Sequence, residues 1–220
     1  VIVSTYQAAS GAGQSAWQEL LNQAQQHLNG EPETAEILPV KGDKKHYPLA
    51  FNLLPQIDVF EDEGYTHEEY KMIHETKKIM LGDKNAKDIK VTATAVRVPV
   101  PVGHGETVYF EVADADGAST PKIQQALSEA PGVVLEDDPA NQIYPQPINA
   151  EGKRDTFVGR VRPDLENDGS YHMWVVSDNL LKGAAWNAVQ IAERLVALDL
   201  VRVPEGSAEK WAVSLEDAKR

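Results

Sequence analysis

The chain has 220 residues, 34 acidic against 21 basic, a net charge of −13 and no cysteine. That balance repels phosphate polyanions, and the densest basic run, Lys41 to Lys45, is broken by Gly42 and Asp43, so no nucleic-acid partner is expected. The lack of cysteine excludes disulfides, thiolate metal sites and a Cys nucleophile within these residues, and no apolar run approaches the roughly 20 residues that span a bilayer, so no membrane is expected either.

The chain opens on Val1-Ile2-Val3, with neither Met nor a basic leader, which reads as an element cut from something longer. Val1 to Tyr6 is rich in β-branched residues and predicts a buried strand. Ser10-Gly11-Ala12-Gly13 follows as a turn, then a helix with Trp17, Leu20, Leu21, Ala24 and Leu28 at helical spacing. Gly30 to Lys45 is polar and turn-rich, and Leu53 to Val59 is an irregular apolar segment. Thr66-His67-Glu68-Glu69 is a capping box, and the helix it opens carries Tyr70, Ile73, Lys77 and Met80 and stops near Gly82.

Lys90 to Val102 reads as a strand, joined through Gly103-His104-Gly105 to another at Thr107 to Ala113. Thr120-Pro121 starts a short helix with Pro at its first position, and Val133 to Leu135 is a short strand. Thr156 to Arg162 and Tyr171 to Val176 form a hairpin around Asn167-Asp168-Gly169. Leu180 to Leu200 is a helix with an apolar stripe of Leu181, Ala184, Ala188, Ile191, Leu195 and Leu198, and a polar tail follows Pro204. The sum is an α+β fold with a largely antiparallel mixed sheet and helices packed on one face.

The most informative stretch for chemistry is Arg97-Val98-Pro99-Val100-Pro101-Val102-Gly103-His104. Its prolines cannot donate to a ladder, so it lies at a sheet edge or leaves the sheet. The flanking glycines let the backbone turn and present His104, whose imidazole moves protons near neutral pH. Arg97 offers a planar fork to a carboxylate. Spacing alone is better matched by a surface His in a hairpin and an Arg in an ordinary salt bridge.

Glu68 and Lys71 share one face of their helix, where they either form a solvated pair or meet an ammonium and an anion. The Ser10-Gly11-Ala12-Gly13 turn permits close approach of a phosphate-bearing ligand, or simply tight packing. Asp178 or Asn179 serves as a helix cap, and the small residues Gly183, Ala184 and Ala185 after it leave room for something bulky. His27, His46, His67, His74 and His172 show no metal-ligand spacing, so no metal is expected.

These stretches resemble, in order, blocks of the aspartate-β-semialdehyde dehydrogenase family. They are Val3 to Gly13, Asn52 to Asp58, Glu68-Glu69-Tyr70-Lys71 with Glu75 to Ile79, Arg97 to His104, and Asp178 to Ala185. The similarity is collinear from Val1 to about Val203. It implies the C-terminal part of such an enzyme, of the glyceraldehyde-3-phosphate-dehydrogenase-like type. A catalytic and dimerisation domain would span 1–178. A helix at 179–203 would complete an absent nucleotide-binding Rossmann domain, and 204–220 would be a tail. The Cys nucleophile and that domain are missing, so the chain alone is expected to be inactive.

The resemblance also implies roles. His104 is the acid/base catalyst, Arg97 binds the substrate α-carboxylate and Glu68 its amino group. Lys71 holds phosphate, Gln7 orients the substrate near the Cys, and Ser10, Gly11 and Asn179 lie against NADP. The implied reaction interconverts L-aspartyl-4-phosphate and aspartate semialdehyde plus phosphate through a thioester. It belongs to lysine, threonine and methionine biosynthesis, in a cytoplasmic homodimer. The alternative is a Cys-lacking, non-catalytic dimerisation or binding module. A reductase for N-acetylglutamyl phosphate fits less well, because that substrate has no ammonium for Glu68. The implied site requires Gln7, Glu68, Lys71, Arg97 and His104 to converge, with the chain bending at its prolines and Gly103. The implied domain arrangement leaves part of the Leu181 to Leu198 stripe exposed.

Overall fold

The computed structural model describes residues 1–202; the expected tail at 204–220 lies outside the described residues. Six strands, β1 (Ile2–Gln7), β2 (Thr92–Arg97), β3 (His104–Glu111), β4 (Val133–Leu135), β5 (Thr156–Pro163) and β6 (Ser170–Ser177), form one sheet in the order β2-β1-β3-β6-β5-β4. The two outermost pairs are parallel and the three inner pairs antiparallel, the mixed α+β sheet that the sequence implies. The helices are α1 (Gln14–Leu28), α2 (His67–Leu81), α3 (Thr120–Glu129), α4 (Pro147–Ala150) and α5 (Trp186–Ala197). None of the described helices is long and apolar enough to cross a membrane.

Alternation along β1 sorts its two faces: Val3, Thr5 and Gln7 are buried, while Ile2 and Tyr6 are exposed. The buried face of β2 carries Ala93, Ala95 and Arg97, and the two alanines give α2 room to lie close. The capping box of α2 forms as expected: Thr66 accepts from the Glu69 backbone and the Glu69 carboxylate accepts from the Thr66 N–H. That carboxylate also accepts the N–H of Ala95 at 3.0 Å, so one side chain starts the helix and fixes it to the sheet.

The sequence suggests a hairpin through Gly103-His104-Gly105, and the structure corrects this. β2 and β3 are not neighbours, because β1 lies between them. The strand ends at Arg97, residues 98–103 cross over the end of β1, and His104 is the first residue of β3 rather than a turn residue. Pairing with a strand 90 residues away leaves no local signal in the sequence. The hairpin of β5 and β6 is as predicted, with a bulge where Asp137 accepts the N–H groups of Arg160 and Val161.

The apolar face of α1 differs from its expected stripe. Leu21 and Leu28 are exposed, and the buried positions are Ala16, Leu20 and Gln23. They pack with Leu38, Leu49, Ala50 and Leu54 from the long connection to α2. Gln23 organises that connection: its Oε1 accepts from Leu49 at 2.8 Å and Ala50 at 3.1 Å, and its Nε2 donates to the Thr34 carbonyl at 2.8 Å. Gln23→Leu leaves these backbone groups unpaired in the core and lowers stability by about 2–4 kcal/mol. Urea unfolding shows this as a lower midpoint with an unchanged slope.

The last helical region, expected as one helix from Leu180, starts as a π-helical turn at Leu181–Ala185 before α5. No residue of α5 is buried, and Ile191 and Leu198 are 54% and 48% exposed, as expected of that stripe.

Candidate active site

β1 and β2 run parallel and β3 runs against them, so the end of β1, the end of β2 and the start of β3 lie at one end of the sheet. Gln7 pairs with Arg97 on one side, and Tyr6 pairs with Gly105 on the other. Beyond Gln7 the chain coils into a single 3-10 turn, Ala9–Ala12, over that end. The crossover at 98–103 runs beneath this turn, where the carbonyls of Val100 and Pro101 accept the N–H groups of Ala9 and Ser10. The prolines fit because this segment offers carbonyls and is not asked for N–H groups at those positions. It bends at Gly103 with φ +93°, and a Cβ there would lie 2.9 Å from that of Pro147.

Arg97 and His104 leave the two ends of this crossover and meet at Ala8. The Ala8 N–H donates to His104 Nδ1 at 3.1 Å, and Arg97 Nη1 donates to the Ala8 carbonyl at 2.8 Å. With Nδ1 accepting, a neutral ring carries its proton on Nε2. Burial, helped by the Arg97 charge, lowers the His104 pKa to about 4, so the ring is neutral at pH 7. Burial also lowers Arg97, against the pull of Glu68, to about 10, which leaves it charged at neutral pH. Its Nε is buried without a hydrogen-bond partner. The salt bridge that spacing allowed for Arg97 is absent among the described residues; its partner is a backbone carbonyl. Gly11 lies against both side chains, and a Cβ there would be 2.8 Å from Arg97 Nη1 and 3.3 Å from His104 Nε2.

Glu68 and Lys71 reach the same place from the first turns of α2. Glu68 accepts from Gln7 Nε2 at 3.1 Å and Lys71 Nζ at 2.9 Å, and Gln7 Nε2 also lies 3.3 Å from Thr5 Oγ1. Burial opposes the Glu68 charge, but the bonds from Lys71 and Gln7 outweigh it and hold the carboxyl below its usual range. The bond to Glu68 raises Lys71 in turn. Asp178 is the helix cap, accepting from Leu180 and Leu181, which leaves Asn179 free to accept the Gly103 N–H at 2.9 Å and bond the Ser10 hydroxyl.

All five converging residues, Gln7, Glu68, Lys71, Arg97 and His104, line one cleft of about 720 Å³. Ser10, Gly11, Asn179, Gly183 and Ala184 line it as well, the last two from the π-helical turn. Sequence reasoning missed Glu106, which lines the cleft from β3, and Thr5 and Ala8, which support it. Glu106 was within reach, since it stands two residues from His104 and shares its face once that stretch is taken as a strand. No group of three or more metal-ligating side chains occurs among the described residues.

The cleft thus opposes a buried guanidinium to a held carboxylate across Gln7, with a neutral imidazole beside them. It suits a small molecule carrying one negative and one positive group, with a reacting carbon near His104.

Residues 1–182 match the family model described as semialdehyde dehydrogenase, dimerisation domain. The aspartate-semialdehyde dehydrogenase of Bacillus subtilis (strain 168) is 60% identical over 201 residues, covering 91% of this chain and 57% of its own length. That of Aquifex aeolicus (strain VF5) is 47% identical, with 91% and 56% covered. Among solved structures, aspartate semialdehyde dehydrogenase II of Vibrio cholerae, also solved in complex with ASA, superposes with TM-score 0.77 at 41% identity, covering 89% of this chain and 54% of that one. The chain spans about half the length of these relatives.

Proposed function

The chain belongs to the semialdehyde dehydrogenase family, through its dimerisation domain, and from that premise we propose that it forms the substrate-binding part of an NADP-dependent aspartate-semialdehyde dehydrogenase. The reaction is the interconversion of L-aspartate 4-semialdehyde plus phosphate with L-aspartyl-4-phosphate. The observation that carries this reading is the pairing of Arg97 and Glu68 on either side of Gln7, which matches the two charges of an amino acid.

Arg97 takes the α-carboxylate. Its buried Nε has no protein partner, and its position is fixed by the Ala8 carbonyl. Glu68 takes the ammonium, and an uncharged aldehyde is disfavoured because it offers neither group an opposite charge. Lys71, at the helix face beside Glu68, meets phosphate. His104 presents Nε2–H to the carbonyl oxygen, where charge develops when a thiol adds. With Nδ1 held by the Ala8 N–H, the neutral ring acts there as a fixed hydrogen-bond donor to the developing oxyanion. The chain has no cysteine, so the thiol of the proposed thioester chemistry comes from outside these 220 residues.

Small residues line the cleft where the nicotinamide end of NADP would lie, Ser10, Gly11, Gly183 and Ala184, with Asn179 beside them. A Cβ at Gly183 would have no neighbour closer than 3.8 Å, so this wall is open enough for a ring to approach. When bound, the cofactor supplies the hydride acceptor. The exposed stripe of α5 suits cover by the nucleotide-binding part. The sheet face bearing Ile2 and Tyr6 suits the partner subunit of a homodimer.

The full-length enzyme is expected to reduce NADP⁺ with L-aspartate 4-semialdehyde only when phosphate is present, followed by absorbance at 340 nm. Turnover that needs no phosphate, or none with this aldehyde, overturns the assignment. The second outcome leaves the non-catalytic binding module as the reading.

A further inference from the structure

Glu106 plays no part in the mechanism above, yet it lines the cleft. It stands on β3 two residues beyond His104 and on the same face of the strand. Its cross-strand partner on β1 is Thr5, and opposed residues place their Cβ atoms about 5 Å apart. The Thr5 hydroxyl lies 3.3 Å from the Gln7 Nε2 that holds Glu68 at 3.1 Å. Thr5 and Gln7 therefore separate two carboxylates that look into one cavity.

The two carboxylates differ in one respect. Glu68 has Gln7 and Lys71 as donors. Glu106, among the described residues, makes no side-chain hydrogen bond and no ion pair, and it is only partly exposed. Burial first, and the Glu68 charge second, push its carboxyl above the usual range. A half-buried carboxylate facing another carboxylate is uncomfortable until a cation arrives. Of the cleft's cations, Lys71 is bonded to Glu68, Arg97 reaches the Ala8 carbonyl through Nη1, and Lys41 is exposed at the cleft wall; none of the three is bonded to Glu106. A cationic group on the ligand can supply the partner that Glu106 lacks.

We propose that Glu106 is a specificity-determining residue, the second carboxylate of a two-sided subsite that selects substrates bearing a free α-ammonium. This rests on the amino-aldehyde reading above and deepens it. Glu68 receives the ammonium on the α2 side of Gln7 and Glu106 on the β3 side. A substrate with an acylated or missing amino group then meets two carboxylates with no ammonium of its own to place between them.

The test uses the full-length enzyme with two aldehydes that differ only in this group: L-aspartate 4-semialdehyde and succinate semialdehyde. The wild-type protein should favour the first in kcat/KM. Glu106→Gln, which keeps the shape and removes the charge, should cut that preference about tenfold or more, through a higher KM for the amino-bearing substrate. Glu106→Asp, which keeps the charge, should recover part of the preference, and it decides the matter should Glu106→Gln fail to fold by circular dichroism. Equal losses for both aldehydes in a folded variant overturn the proposal, as does a fall confined to kcat. A wild-type enzyme that uses both aldehydes equally also overturns it. A wild-type enzyme that uses neither overturns the underlying functional reading instead, and that result appears before any variant is made.

Discussion

In the proposed full-length dehydrogenase, His104→Asn is expected to lower kcat by about a thousandfold and to leave KM for the semialdehyde within about threefold. The side-chain oxygen of Asn can still accept the Ala8 N–H that now meets His104 Nδ1 at 3.1 Å, so the backbone around it has no reason to move. What Asn cannot do is hold an N–H at the position of Nε2, and removing one donor to a developing oxyanion typically costs about 10²–10³ in rate. Arg97→Leu is the contrasting case, because it removes a binding charge and acts chiefly on KM. Steady-state kinetics distinguishes the two, and a His104→Asn enzyme with wild-type kcat excludes the role of His104 in the reaction.

The same variant has a signature in stability. An unfolded His takes up its proton near pH 6.5, whereas the folded ring resists until about pH 4. The unfolded chain therefore binds more protons between these values, and the native state loses stability as pH falls from 6.5 towards 4. His104→Asn removes this contribution and flattens the acid side of the stability profile.

Gly11→Ala is the second large effect. The added methyl would lie 2.8 Å from Arg97 Nη1 and 3.3 Å from two atoms of the His104 ring. Arg97 cannot retreat easily, since it is 4% exposed and tied to the Ala8 carbonyl. His104 is held by the N–H of the same residue. Displacement of either group by several tenths of an ångström is expected to lower kcat/KM about a hundredfold. Gly11 itself is exposed, so the melting temperature should stay within about 2 °C of wild type. Kinetics and a thermal melt on one preparation check both halves. Near-normal kcat/KM in this variant would show that Arg97 and His104 are less constrained than their contacts indicate.

Much of this architecture was legible where the signal is local. The capping box placed Thr66 and Glu69, and hence the face of α2 that carries Glu68 and Lys71. The Asn167-Asp168-Gly169 turn marked the β5–β6 hairpin. Convergence of the five site residues followed from the resemblance and not from periodicity, because alternation assigns a side chain to a face but says nothing about which strand lies alongside. For that reason the insertion of β1 between β2 and β3 was missed, and His104 was read as a turn residue. Glu106 was lost with it, since its shared face with His104 exists only on a strand. On α1, Gln23 was invisible as a core residue because its polarity is matched by three backbone groups from residues 34–50.

The contact between Glu69 and Ala95 has a consequence for association between molecules. β2 is the last strand on its side, and its outward N–H groups would offer a template for strand pairing with another chain. At Ala95 that group is taken by the Glu69 carboxylate, and at Arg97 by the Leu54 carbonyl. On the far side β4 is three residues long. Neither margin of the sheet can be extended far by a neighbouring chain. Self-association is thereby steered away from open-ended growth, which has no stopping point, towards closed contacts made through the sheet's surface. The glutamate that starts α2 thus also seals one flank of the sheet.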